Sequence, residues 1–153
     1  MNLSLGGPAD PLLTQLVEHA LARGVVVVAA VPPDGRLDGF PVGVAGVIAV
    51  DVAGAAGRAG TVLRAPGREV ITLAPGGRYD FVSGSSIAAA HVTGAAALLL
   101  ANRPDLSARE IGALLLRPGA DGAAAAAMDV CAALLALRGD GRCESPPAAG
   151  PGM

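Results

Sequence analysis

The run VSGSSIAAAHVTGAAALLLA, Val82 to Ala101, restricts this chain more than any other stretch of its 153 residues. Apart from His91 and Thr93, every residue from Ile87 to Ala101 is Ala, Gly, Val, Leu or Ile. A surface helix keeps one polar face, and a bilayer span needs about 20 apolar residues. This run has 15, with a histidine inside it. Small side chains all round let neighbouring elements approach closely. The pattern therefore predicts a helix beginning at Ser86, packed at the centre of a domain, with Ser85 and Ser86 at its first turn.

The remainder supplies layers for that helix to pack against. Asn2 to Leu5 reads as a short strand ending at Gly6 and Gly7. DPLLTQLVEHALARG reads as a helix with Pro11 in its first turn, an apolar face of Leu12, Leu16, Val17, Ala20 and Leu21, and a stop at Gly24. Val25 to Ala30 is a continuous apolar run, as expected of a strand covered on both faces, and Gly46 to Gly54 repeats the signal. Strand, helix and two buried strands predict an α/β fold of three layers, a mostly parallel sheet flanked by helices. Short β runs separated by APG and APGG turns fill Thr61 to Phe81. Ser107 and Glu110 have capping-box spacing ahead of a helix striped by Ile111, Leu114 and Leu115. Asp129 opens a last helix. One domain is expected over residues 1–137 and a disordered tail over 138–153; the RGD at its start reads as a chance triplet.

Composition narrows the function classes. Eleven arginines against 13 acidic residues, a net charge of -2 and no lysine create no field for nucleic acid or anionic lipid. Tyr79, Phe40 and Phe81 are too few for base stacking. Neither nucleic acid nor a membrane is expected as a partner, and no cofactor or metal constellation stands out. No leader is visible at the N-terminus, and Cys131 and Cys143 are expected as free thiols because two cysteines define no framework.

The paired serines have two readings. A hydroxyl at a helix start caps the unpaired first-turn N–H groups, a task for Ser83 or Ser85. Alternatively Ser86 is a nucleophile, set where the helix dipole and its own N–H stabilise a developing oxyanion.

SGSSIAAAHVTGAAALLL resembles the serine motif of the subtilisin-like serine peptidases, Gly-Thr-Ser-Met-Ala followed by Ala or Thr, Pro, His, Val, Ala and Gly. Gly84 matches the first glycine, Ser85 stands for threonine and Ser86 for the nucleophile; Ile87 replaces methionine and Ala90 proline, while His91, Val92 and Gly94 agree. NLSLGG is similar to the family strand lining the substrate cleft, which implies substrate contacts at Ser4, Leu5 and Gly6. GVVVVAA is similar to the strand of the opposite pocket wall, implying Ala29 and Ala30, and FPVGVAGVIAVDV, APG, LAPGG and RPDLSAREIGALLL have family counterparts. The likeness covers roughly residues 1–137, the later half of that catalytic domain, and implies a peptide or protein substrate.

Two parts of the family's chemistry have no match. Its histidine base and orienting aspartate precede the matched region, so the resemblance implies a separate N-terminal half supplying both. His19 sits mid-helix, and His91 is about 140° around the helix from Ser86, expected as a packed structural residue. Where the family continues Gly-Asn, this chain has Val31 and Pro32, and the only asparagines are Asn2 and Asn102. In subtilisin itself, loss of that amide slows catalysis by about 10² to 10³ and loss of the histidine by about 10⁶. The chain is therefore expected to be inactive alone, with Val31 narrowing the specificity pocket. Association through an unpaired NLSL edge is also expected.

Two other functions remain. A degenerate peptidase-like binding module would use the Ser4 to Gly6 cleft as a pairing edge. GSSIA also approaches the Gly-x-Ser-x-Gly elbow of α/β-hydrolase esterases, with Ala88 in the last position, although no histidine follows His91 as that order requires. The family is often exported, and the location of this chain is left open.

Overall fold

The computed structural model describes residues 1–55, 62–116, 128–139 and 141–142. Its main sheet has four strands in the order β1-β2-β3-β4, namely Asn2–Leu3, Val28–Ala30, Ile48–Val52 and Leu63–Ala65, all parallel. The first three strands are each shorter than the stretch that reads as strand in the sequence, and β1 lies at the sheet edge, paired only with β2 among the described residues. A second sheet is an antiparallel hairpin of β5, Val70–Ala74, and β6, Arg78–Val82. The helices are α1, Pro11–Ala22; α2, Ser85–Asn102; α3, Ala108–Leu115; and α4, Val130–Arg138.

Alternation along the strands explains the layers, because successive side chains point to opposite faces. Val26, Val28, Ala30, Ile48, Val50, Leu63 and Ala65 share one core cluster with α2, Leu106, Ile111, Leu115 and Ala133. Val27, Ala29, Val31, Ala49 and Val62 point the other way, toward Val17 and Leu21 of α1 and the segment containing Val42 and Val44. A sheet covered on both faces gives the expected three layers. Leu12 and Leu16 do not belong to the inward stripe of α1: Val17 is buried with Leu21 packed beside it, while both earlier leucines are exposed. Periodicity defined a stripe wider than the surface α1 covers.

Helix α2 also departs from expectation. Ala88, Ala89, Val92, Ala95, Ala96 and Leu99 are buried, but Ala90, His91, Gly94, Ala97 and Leu98 are exposed. The helix is thus apolar all round but, among the described residues, buried on one side only. It is long and apolar enough by composition to span a membrane, yet its buried side packs on β2, β3 and β4.

Caps follow the sequence closely. Asp10 accepts from the Leu13 N–H at 2.9 Å and Asp129 from Ala132 at 2.8 Å. Ser107 and Glu110 form the reciprocal capping box, whose hydroxyl and N–H hold the Glu110 carboxyl below its ordinary range. Gly139 ends α4 in the left-handed conformation. Arg138 donates through Nε and a terminal nitrogen to Asn102 Oδ1 at 2.9 and 2.7 Å, joining the ends of α4 and α2. Cys131 is disulfide-bonded, which overturns the free-thiol expectation; sequence spacing carries no information about Cβ separation. Cys143 and most of the proposed tail lie outside the described residues.

Gly67 fixes the approach of α2 to the sheet. A Cβ there would lie 2.9 Å from the Gly84 carbonyl oxygen, 3.0 Å from Val52 Cγ2 and 3.2 Å from Ala88 Cβ, and its own carbonyl accepts from the Gly84 N–H at 2.8 Å. Gly67→Ala is expected to lower the unfolding free energy by about 1–3 kcal/mol, read from urea denaturation followed by circular dichroism.

Candidate active site

The site is built where β6 turns into α2. Gly84, the N-cap residue, has φ 151° and ψ 160°, a conformation essentially confined to glycine. It makes no side-chain cap hydrogen bond. Neither neighbouring serine caps the helix either. Ser83 Oγ accepts from the Glu69 N–H at 2.8 Å, and the Ser85 hydroxyl donates to the Val31 carbonyl at 2.6 Å. The capping reading of the paired serines is therefore replaced: one ties the turn to the β5 side and the other ties it to the end of β2.

Ser86 is exposed at the second position of α2. An N–H at this point of a helix has no carbonyl four residues back to bond with, and the dipole favours negative charge there. The Ser86 carbonyl accepts from the Ser4 hydroxyl at 3.4 Å, across 82 residues of sequence. Ser4 Oγ in turn accepts from Asn2 Nδ2 at 3.2 Å, and Thr93 Oγ1 donates to Asn2 Oδ1 at 3.2 Å. This chain of polar contacts pins the edge strand against the first three turns of α2. Sequence reasoning gave Asn2 and Thr93 no part in it, since only the fold brings position 2 to position 93.

The residues expected to contact substrate divide into two groups. Ser4, Leu5 and Gly6 are exposed and stand beside the start of α2. Ala29 and Ala30 are buried, their side chains in core clusters on opposite sheet faces. Ala30 pairs with Val50 of β3, beyond the last β1–β2 pair at Leu3 and Ala29, so any contact there falls to its backbone. Val31 does not narrow a pocket as expected. Its side chain is buried with Ala29, Val42, Ala49 and Val62, and the residue standing over Gly6 is Pro32, 3.4 Å from where a Gly6 Cβ would be.

Beyond Gly6 the surface opens into a cavity of about 460 Å³ lined by Gly6 to Ala9, Pro32 and the Asp34 to Phe40 loop. Gly7 and Phe40 close it with two backbone hydrogen bonds of 2.9 and 3.0 Å. Gly39 passes so close that a Cβ would fall 2.5 Å from the Gly7 carbonyl oxygen. At the rim Arg36 grips Asp38 with two hydrogen bonds of 3.0 and 2.9 Å, which holds the Asp38 carboxyl below its ordinary range.

No base stands beside Ser86 in this set of residues. His91 Nδ1 lies 3.0 Å from the Pro66 carbonyl and 3.1 Å from the Ile87 carbonyl, on the hairpin side of α2, away from Ser4. Its ring is exposed and hydrogen-bonded to backbone rather than packed as expected. His19 is exposed on α1. Neither Asn2 nor Asn102 replaces the amide absent at Pro32: the first is bonded to Ser4 and Thr93, the second to Arg138 at the far end of α2. The strand before the serine belongs to the separate hairpin and not to the parallel sheet, which sets aside the α/β-hydrolase elbow.

Comparison with known proteins agrees with this geometry. A family model described as Subtilase family matches residues 1–129. The chain is 38% identical over 125 residues to subtilisin DY of Bacillus licheniformis, covering 72% of this chain and 46% of that protein. It is 33% identical over 137 residues to the major intracellular serine protease of Bacillus subtilis (strain 168), covering 76% and 43%. Among solved structures, the self-cleaved protease domain of PatA superposes with a TM-score of 0.69 at 27% identity, over 90% of this chain and 61% of that one. A protease of Pseudoalteromonas arctica PAMC 21717 gives a TM-score of 0.73 at 27% identity, over 89% and 50%. The chain thus spans a little under half the length of these two curated relatives.

Ser85→Ala removes the tie to Val31 and is expected to lower stability by about 1 kcal/mol, whereas Ser85→Thr, which keeps the hydroxyl, stays close to the parent. Urea midpoints of the two variants check this.

Proposed function

The chain belongs to the subtilase family, matched over residues 1–129, and from that premise we propose that it is the serine-bearing part of a serine endopeptidase in which Ser86 is the nucleophile. The observation that carries this reading is an exposed serine at the start of a buried-faced helix, whose backbone carbonyl accepts from the Ser4 hydroxyl. In the proposed reaction Ser86 Oγ attacks the scissile carbonyl carbon and its proton passes to an imidazole. The carbonyl oxygen becomes an oxyanion at the first-turn N–H groups. Collapse then expels the amine, which takes the proton back, and leaves an acyl-serine for water to hydrolyse. Ser4 to Gly6 form one wall of the peptide cleft, and the backbone near Ala30 forms the other.

The proton acceptor lies outside residues 1–153. His91 is committed to the Pro66 and Ile87 carbonyls and His19 stands on another helix. An aspartate and a histidine from further polypeptide, joined to this chain or separate from it, complete the site. Pro32 favours a second reading: with neither an N–H nor a side-chain amide it supplies no oxyanion donor at its position, which suits a binding module that keeps the cleft and has lost turnover.

Purified 153-residue chain is expected to show no turnover of a fluorogenic peptide and negligible labelling by a fluorophosphonate probe. Adding a polypeptide that carries the family's Asp-Thr-Gly and His-Gly motifs restores labelling, and Ser86→Ala abolishes it. Ser86-dependent turnover by the chain alone would overturn the external-base proposal. Peptide binding with no labelling under any complementation would select the binding module.

A further inference from the structure

The β5–β6 hairpin carries an apolar face that nothing in the proposed chemistry uses. Ile71 pairs directly with Phe81, and Leu73 with Tyr79. Alternation along an antiparallel pair puts all four side chains on one face. Val70, Thr72, Ala74, Arg78, Asp80 and Val82 alternate with them, and Val70, Thr72 and the edge of the quartet at Ile71 border a cleft of about 540 Å³ against Ile87, His91 and Leu98 of α2. The four outward side chains are 61% (Ile71), 73% (Leu73), 70% (Tyr79) and 67% (Phe81) exposed. Together they present on the order of 500 Å² of contiguous apolar surface, near the upper end of what a monomer shows as its largest patch. No charged residue falls within the quartet.

We propose that this face is an isologous interface with a second copy of the chain, two hairpins stacking face to face about a two-fold axis. Area and symmetry both favour that occupant. Two such faces bury about 1,000 Å² in all, the level at which a specific interface becomes tenable. The quartet is also close to self-complementary: two cross-strand pairs, each joining an aliphatic to an aromatic residue, place a ring opposite an aliphatic side chain when a copy is rotated onto it. Stacking also gives the hairpin the second layer that an isolated two-stranded sheet needs. Ser86 lies on α2 outside the quartet, so the contact and the proposed chemistry use different residues.

Tyr79 makes the interface directly readable, because the chain has one tyrosine and no tryptophan. The full chain is expected to show a reversible monomer–dimer equilibrium by analytical ultracentrifugation, with iodide quenching of tyrosine emission falling several-fold as dimer forms. The double variant Leu73→Lys, Phe81→Lys, at exposed positions that leave the core untouched, is expected to be monomeric with an unchanged circular dichroism spectrum. Leu12→Lys, on exposed α1, leaves the dimer intact. A wild-type chain that stays monomeric across the concentration range overturns the proposal, as does a dimer in which Tyr79 stays fully quenchable. Loss of the dimer in Leu12→Lys but not in the hairpin variant also overturns it. Tyr79 protection that needs phosphatidylcholine vesicles, with no dimer in their absence, would assign the face to a membrane surface instead.

Discussion

The arrangement depends on how one helix start is held. The Gly84 N–H donates to the Gly67 carbonyl at 2.8 Å, and the Ser85 hydroxyl donates to the Val31 carbonyl at 2.6 Å. These two bonds join α2 to the turn after β4 and to the end of β2, which are far apart in sequence. They also explain why both glycines are needed: Gly67 for close approach and Gly84 for a backbone conformation that side chains avoid. With the start of α2 held in this way, the alanines of its buried face lie directly on β2, β3 and β4. The next residue, Ser86, then has a defined place although its hydroxyl makes no hydrogen bond among the described residues.

Much of this was legible in the sequence because local physics dominates it. Strand runs alternate between two cores, caps sit at Ser107 and Asp129, and a long specific motif marks the serine. What escaped were features set by tertiary contact. Leu12 and Leu16 satisfy a helical period but find no partner in the described residues' core clusters. The length of β2 was overestimated because an apolar run also continues into buried backbone outside the ladder, as at Val26 and Val27. The polar chain from Thr93 through Asn2 to Ser4 needed the edge strand to be placed against α2 before it had meaning. Cys131 likewise required coordinates, since pairing follows Cβ geometry.

Exposed apolar surface is distributed unevenly around this core. Leu98 and its neighbours on α2, the three exposed leucines of α1 and the hairpin quartet all face outward. A fold that covers both sheet faces while leaving three such areas open has settled its central packing and left its periphery for other contacts.

The hydrogen bonds that seat Ser86 come from no ionisable side chain, although His91 Nδ1 bridges the Pro66 and Ile87 carbonyls immediately beside Gly67 and Ser86. Ser85, Gly84, Gly67, Val31, Ser4 and Asn2 hold Ser86 through hydroxyl, amide and carbonyl groups alone. None of these bonds has a titrating partner, so a bell-shaped reactivity profile at Ser86 would report imidazoles and not the hydroxyl and amide groups of its seat.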